Sequence, residues 1–269
     1  MNNKNELTMQ EMFMRNHKKH HRQIAFSRIF IFVLFIAVWE LCSYMGVIDS
    51  FFFSSPRRVI KQLIKLFADN SIFIHVGITL FETVLSFILV FIISLLTSTA
   101  LWYSPKLSEI LEPYLVILNS LPKSALAPLF IVWLGTGTRT IIVAGISVAL
   151  FGSVISFYTG FRQCDADKIT LIYTLGGDKH DAFRKVVLPG SIPILISTTK
   201  VNIGLALVGV IIGEFLAARR GLGYLIIYGS QVFQLDLVIT AIILLCIIAM
   251  GFYKGIQSIE HRIKKTTGL

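Results

Sequence analysis

Lys123 stands between Pro122 and Pro128 inside an apolar run, with Ser120 and Ser124 close by. An ionised group at mid-membrane costs roughly 2.5–3.5 kcal/mol on insertion scales, so it needs a partner or a water-lined face. Lys123 could attract an anionic solute, or pair with a structural carboxylate such as Glu40 or Glu82. Glu214 lies just past another apolar run and offers a similar choice, as a gate residue or as a carboxylate paired with Arg219 or Arg220. With Thr199 and Asn202, these residues are candidates for a solute pathway. Asn202, Ala206, Gly209 and Gly213 recur at i, i+4, i+7 and i+11. The Gly209 and Gly213 pair permits close helix packing, a homodimer seam included, with pore lining as the other reading.

Bond-making chemistry has no comparable set. No histidine falls in the centre of an apolar run, and the chain has no Gly-x-x-x-x-Gly-Lys phosphate loop. His17, His20 and His21 cluster in a basic tail, which accounts for them more simply than a metal site does. No catalytic residue and no metal ligand is assigned.

The elements that hold these residues must sit in lipid. Of 269 residues 55% are hydrophobic and only 15% charged, against about 25% charged in soluble domains. Mean hydropathy is +0.75, more apolar surface than one core can hide. Apolar runs centred on Ile29–Val47, Leu80–Leu101, Tyr114–Leu134, Thr140–Tyr158, Ile192–Ile212 and Leu237–Tyr253 are each long enough to cross about 30 Å of hydrocarbon. Pro122 and Pro128 must kink or unwind the third, freeing carbonyls that need partners. The expected fold is an all-α membrane domain of six spans over residues 29–260. A basic tail (1–28) precedes it and a C-tail (261–269) follows.

Six spans put both termini on one side. Of the 25 Lys and Arg, 16 fall in the tails and the second and fourth loops and 7 in the other loops, so the positive-inside rule makes both termini cytoplasmic. This also explains a net charge of +10 without nucleic acid. The exception is an outer segment bearing Arg57, Arg58, Lys61 and Lys65. There Ser55 can cap, Pro56 fits the first helical position, and Val59, Ile60, Leu63, Ile64 and Phe67 share a face, so it reads as an amphipathic helix in the interface.

The largest cytoplasmic connection spans residues 159–191. Ile169, Ile172 and Tyr173 form one apolar stripe, Gly176 and Gly177 break it, and Ala182, Phe183, Val186 and Val187 form a second. Pro189 and Pro193 are expected to stop that helix and open the next span. Apolar ridges in the cytosol need a cover: a partner, the membrane face, or the chain's own bundle.

Here the residues resemble a family. Gly176 followed by Val186, Leu188 and Pro189 at +10, +12 and +13 is similar to the cytoplasmic "EAA" loop of ATP-binding-cassette (ABC) importer permeases. Thr170, Leu171 and Ile172 stand where that loop has Glu-Ala-Ala. SSPRRVIKQL, LPKSALAPLFIVWLGTGTRT (Leu121–Thr140) and GEFLAARRGLGYLI (Gly213–Ile226) resemble, in order, segments of the nitrate, sulfonate and taurine branch. Glu82 and Ser86 replace that branch's Arg and Gly.

The resemblance implies a type I importer permease in a bacterial plasma membrane, working with a cytosolic ABC ATPase, an extracytoplasmic solute-binding protein and a second permease copy. It implies a coupling helix, assigning Ile172, Tyr173, Gly176, Gly177, Asp178, Phe183, Val186, Val187, Leu188 and Pro189 to ATPase contact. ATP and Mg would bind on the partner, with no cofactor on this chain, and the solute would be a sulfonate, nitrate or vitamin precursor. The rival reading is an ATP-independent carrier or channel, which favours repeated halves and midplane carboxylates.

Overall fold

The computed structural model describes residues 9–267. The ends of both predicted tails, and the His21 side chain of the histidine cluster, lie outside the described residues. The chain divides into residues 1–62 and 63–269, taken in turn.

In the first unit, helix α1 (Met9–Tyr44) carries the apolar stretch Phe26–Tyr44 but begins well before it, inside the basic tail. A short helix α2 (Ser50–Phe53) is capped by Asp49, whose carboxylate accepts from Phe51 N at 2.8 Å. Helix α3 (Pro56–Ala68) begins as its residue types dictate, with Pro56 first and Ser55 Oγ accepting from Arg58 N at 3.4 Å.

The second unit contains α4 (Ser71–Tyr103), α5 (Pro105–Ser120), α6 (Lys123–Leu134), α7 (Thr138–Arg162), α8 (Ala166–Thr174) and α9 (Lys179–Ala182). A π-helical turn over Phe183–Val187 leads into α10 (Leu188–Ala217), followed by α11 (Leu222–Gln231) and α12 (Leu235–Thr267). Four of its helical stretches are long and apolar enough to span a membrane. The run expected as a third span is two helices meeting at 97°. The break falls at Leu121–Pro122, where a proline has no N–H to continue the ladder.

Helix α7 lies at the centre, against α4 on one side and α10 on the other. Small residues set the spacing. A Cβ on Gly209 would lie 2.8 Å from the Ala144 carbonyl oxygen, and one on Gly213 2.9 Å from Ile141 Cα. The seam at Gly209 and Gly213 is therefore inside the chain, closed by α7, and not between copies. On the other side Ser86 donates to Ile142 O at 3.3 Å and Ser94 to Leu150 O at 3.5 Å. A second apolar cluster joins Leu207 of α10, Leu222 and Leu225 of α11, and Leu237, Ala241 and Leu245 of α12. Lys200 pairs with Glu260, tying α10 to α12 lower down.

Candidate functional site: the Gly-turn loop, the helix break and the Glu214 cluster

The loop over residues 159–191 is built by caps. The Asp165 carboxylate accepts from Asp167 N at 3.0 Å and starts α8. The helix ends where Leu175 N, Gly176 N and Gly177 N bond back to Leu171, Tyr173 and Ile172 carbonyls. Gly176 takes φ +85°, the left-handed cap that a side chain would strain. Asp178 and Asp181 then form a reciprocal capping box that starts α9.

The two stripes have different covers. Phe183 is only 8% exposed and sits with its ring 5.1 Å from Trp102 and 5.4 Å from both Tyr103 and Phe161. Val187 is fully buried beside it, in a cluster with Phe157 and Leu195. This stripe packs under its own bundle, because the π-helical turn aims it at the C-terminal ends of α4 and α7. The first stripe is only partly covered: Ile169 packs against that same cluster, while Tyr173, with Leu171 and Leu175 beside it off the stripe, is left bare around the Gly turn, the three being 46%, 56% and 75% exposed. Ile172, Gly177 and Val186 are half-buried, and Gly176, Asp178 and Pro189 are exposed.

Pro189 does not stop the helix. Leu188 N bonds to Phe183 O, the wider i to i+5 spacing, and the chain runs on into α10. A proline in the first turn after that bulge gives up no bond. The pattern also passed over the latch beside it. Lys179 Nζ donates to the Tyr103 carbonyl at 2.8 Å and lies 5.5 Å from the Trp102 ring centre, and Tyr103 Oη meets His180 Nδ1 at 3.3 Å. A cation at the C-terminus of α4 also meets the negative end of its dipole. The available signal was the aromatic pair Trp102-Tyr103 closing an apolar run.

At the break, Lys123 takes neither expected carboxylate. Its Nζ donates to the Leu118, Asn119 and Leu121 carbonyls at 2.5, 2.7 and 2.9 Å, oxygens that the interrupted ladder leaves open. Ser120 and Ser124 are exposed beside it, so these three residues do converge. Thr199, Asn202 and Glu214 do not join them. They rise along α10, with about 18 Å between Asn202 and Glu214 at 1.5 Å per residue. Thr199 spends its hydroxyl on Leu195 O at 2.6 Å, and the Asn202 amide nitrogen is buried without a partner.

Glu214 is fully buried and accepts from Thr79 Oγ1 at 2.7 Å and Gly223 N at 2.5 Å. Thr79 Oγ1 accepts in turn from Leu222 N at 2.9 Å, and His75 Nδ1 from Gly221 N at 3.0 Å. The first amides of α11, which no helix can satisfy internally, are thus held by α4 and α10. Arg219 and Arg220, the expected partners, stay exposed. Gly221 and Gly223 are required because a Cβ on either would collide with the Glu214 side chain.

Residues 90–263 match the family described as "Binding-protein-dependent transport system inner membrane component". The chain is 29% identical over 227 residues, 84% of itself and 92% of the relative, to a probable ABC transporter permease protein of Haemophilus influenzae. It is 25% identical over 230 residues (86% and 83%) to a putative aliphatic sulfonates transport permease protein of Bacillus subtilis. It is 24% identical over 248 residues (90% of each chain) to the taurine transport system permease protein of Escherichia coli. An inward-facing structure of the MetNI methionine ABC transporter shares the fold, with a TM-score of 0.60 and 21% identity over 72% of this chain and 94% of that one. A permease of this kind is a transport subunit, and ATP hydrolysis occurs on a separate ATPase. The chain belongs to the binding-protein-dependent transport system inner membrane components, as a permease subunit of an ABC importer of the type I fold.

Proposed function

We propose that this permease carries a small solute of the sulfonate, nitrate or vitamin-precursor kind across the bacterial plasma membrane, and that ATP binding on a cytosolic ATPase drives it through the loop at α8 and α9. ATP and Mg2+ bind on that partner. An extracytoplasmic binding protein delivers the solute, a second copy of this chain completes the pathway, and both termini lie in the cytoplasm. Relatives that transport aliphatic sulfonates and taurine support the solute class.

The observation that carries the coupling reading is the division of labour in the loop. Leu171, Tyr173 and Leu175 offer an exposed apolar tip around the Gly turn, while Phe183 and Lys179 fasten its return arm to α4 and α7. A tip that docks and an arm that is anchored make a lever. Phe183 then serves on the anchored side, and an acidic substitution there would damage the permease's own packing before any docking.

The test is uptake into vesicles holding the purified permease with its ATPase. Leu175→Asp should release the ATPase and abolish nucleotide-driven uptake while the thermal transition of the permease is unchanged. Uptake by the permease alone, without nucleotide, would establish the ATP-independent carrier instead.

A further inference from the structure

The first unit contains an apolar groove of about 470 Å3. Phe32, Val33, Ile36 and Ala37 of α1 form one wall, and Pro56 and Ile60 of α3 the other. At one end Glu40 accepts from Arg57 N at 3.1 Å, which fixes the start of α3 beside α1. That bond engages the Arg57 backbone and leaves its side chain exposed at the groove's end.

Helix α3 has three faces. Val59 and Leu66 are buried, Ile60, Ile64 and Phe67 are exposed and apolar, and Arg57, Lys61 and Lys65 form an exposed basic stripe at i, i+4 and i+8. Among the described residues no carboxylate pairs with the Arg57 guanidinium or the Lys61 ammonium. Just upstream, Phe51, Phe52 and Phe53 are also exposed. A helix with a lipid-compatible face beside a cationic one lies at the membrane–water boundary.

We infer that this groove is a binding site for an anionic phospholipid, one acyl chain lying between α1 and α3 and the phosphate held by Arg57 and Lys61. Apolar walls that end at the exposed Arg57, with Lys61 one turn on along α3, are complementary to a lipid, and neither free phosphate nor a neutral helix matches both halves. The volume lies within the usual range for small-ligand sites. The inference rests on the membrane location of the family and is independent of the solute carried.

The experiment is native mass spectrometry of the purified permease–ATPase complex after exchange into equal phosphatidylglycerol and phosphatidylcholine. Wild type should retain phosphatidylglycerol with about a tenfold preference, the effect of one to two cations near a headgroup. Arg57→Ala with Lys61→Ala should remove the preference. Ala37→Phe, which fills the groove without changing charge, should release both lipids while ATP-driven uptake persists. Equal retention by wild type, a preference surviving in the double variant, or protection by inorganic phosphate alone would overturn the site. So would cross-linking of a photoreactive residue at position 37 to a second permease copy and not to lipid.

Discussion

Glu214 shows how one carboxylate can organise the junction of three helices. It collects the Thr79 hydroxyl and the Gly223 amide, and Thr79 passes a bond on to Leu222. Removing a buried acceptor leaves its donors unpaired, at about 1–3 kcal/mol. Glu214→Ala should therefore lower the thermal transition of the detergent-solubilised chain by several degrees. Glu214→Gln, which keeps one of the two acceptor oxygens, should recover only part of the loss. Lys123 plays the matching part at the break, where one ammonium takes three open carbonyls. Lys123→Met should increase proteolysis at the Leu121–Pro122 break, while Lys123→Arg should restore protection. Their places inside and just past apolar runs marked both residues as exceptional. Those places could not name their partners, because the partners come from distant turns or from backbone that only the fold leaves open.

Between elements, the close fit of α7 to α10 depends on the absence of a side chain at Gly209. A Cβ there would press on the Ala144 carbonyl and Gly145 Cα, both backbone atoms that cannot step aside. Gly209→Val should cost about 1–3 kcal/mol by overpacking, read as a lower thermal transition. Gly204, on the same helix, has open space where a Cβ would stand, so Gly204→Ala should be neutral or stabilising by up to about 1 kcal/mol. The latch from α9 to α4 gives a functional counterpart. Lys179→Met removes the bond to the Tyr103 carbonyl but leaves the exposed tip in place. The ATPase should still co-purify, and transport per ATP hydrolysed should fall several-fold. Lys179→Arg keeps a donor and should stay near wild type. Loss of ATPase binding in Lys179→Met would place the residue at the docking surface instead of behind it.

At the scale of the whole molecule, the loop and the Glu214 cluster stand at opposite ends of the same helices. Helix α10 runs from the π-helical turn at Phe183–Val187 to Glu214, and α4 from His75 and Thr79 to Trp102 and Tyr103. Two packed, nearly continuous helices therefore join the loop to the Glu214 cluster. Cross-linking cysteines placed at Tyr103 and Lys179 should block transport reversibly, with reductant restoring it.

The sequence by itself determined the solvent, the number and approximate place of the apolar runs, the charge asymmetry, the Gly-hinged loop and the family. All of these depend on local composition and on spacing along one helix. The tertiary structure alone decided which ridge is covered. The stripe at Phe183 is buried by its own bundle and Tyr173 of the first stripe is left bare, although both read as apolar residues at helical spacing. It also decided that the Gly209 seam closes within the chain, that Pro189 is absorbed by a π turn, and that Lys123 and Glu214 bond to backbone and hydroxyl groups and not to opposite charges. The physical reason is common to all four. A helical pattern fixes which side chains share a face, but the partner of that face is set by contacts between residues far apart in the chain.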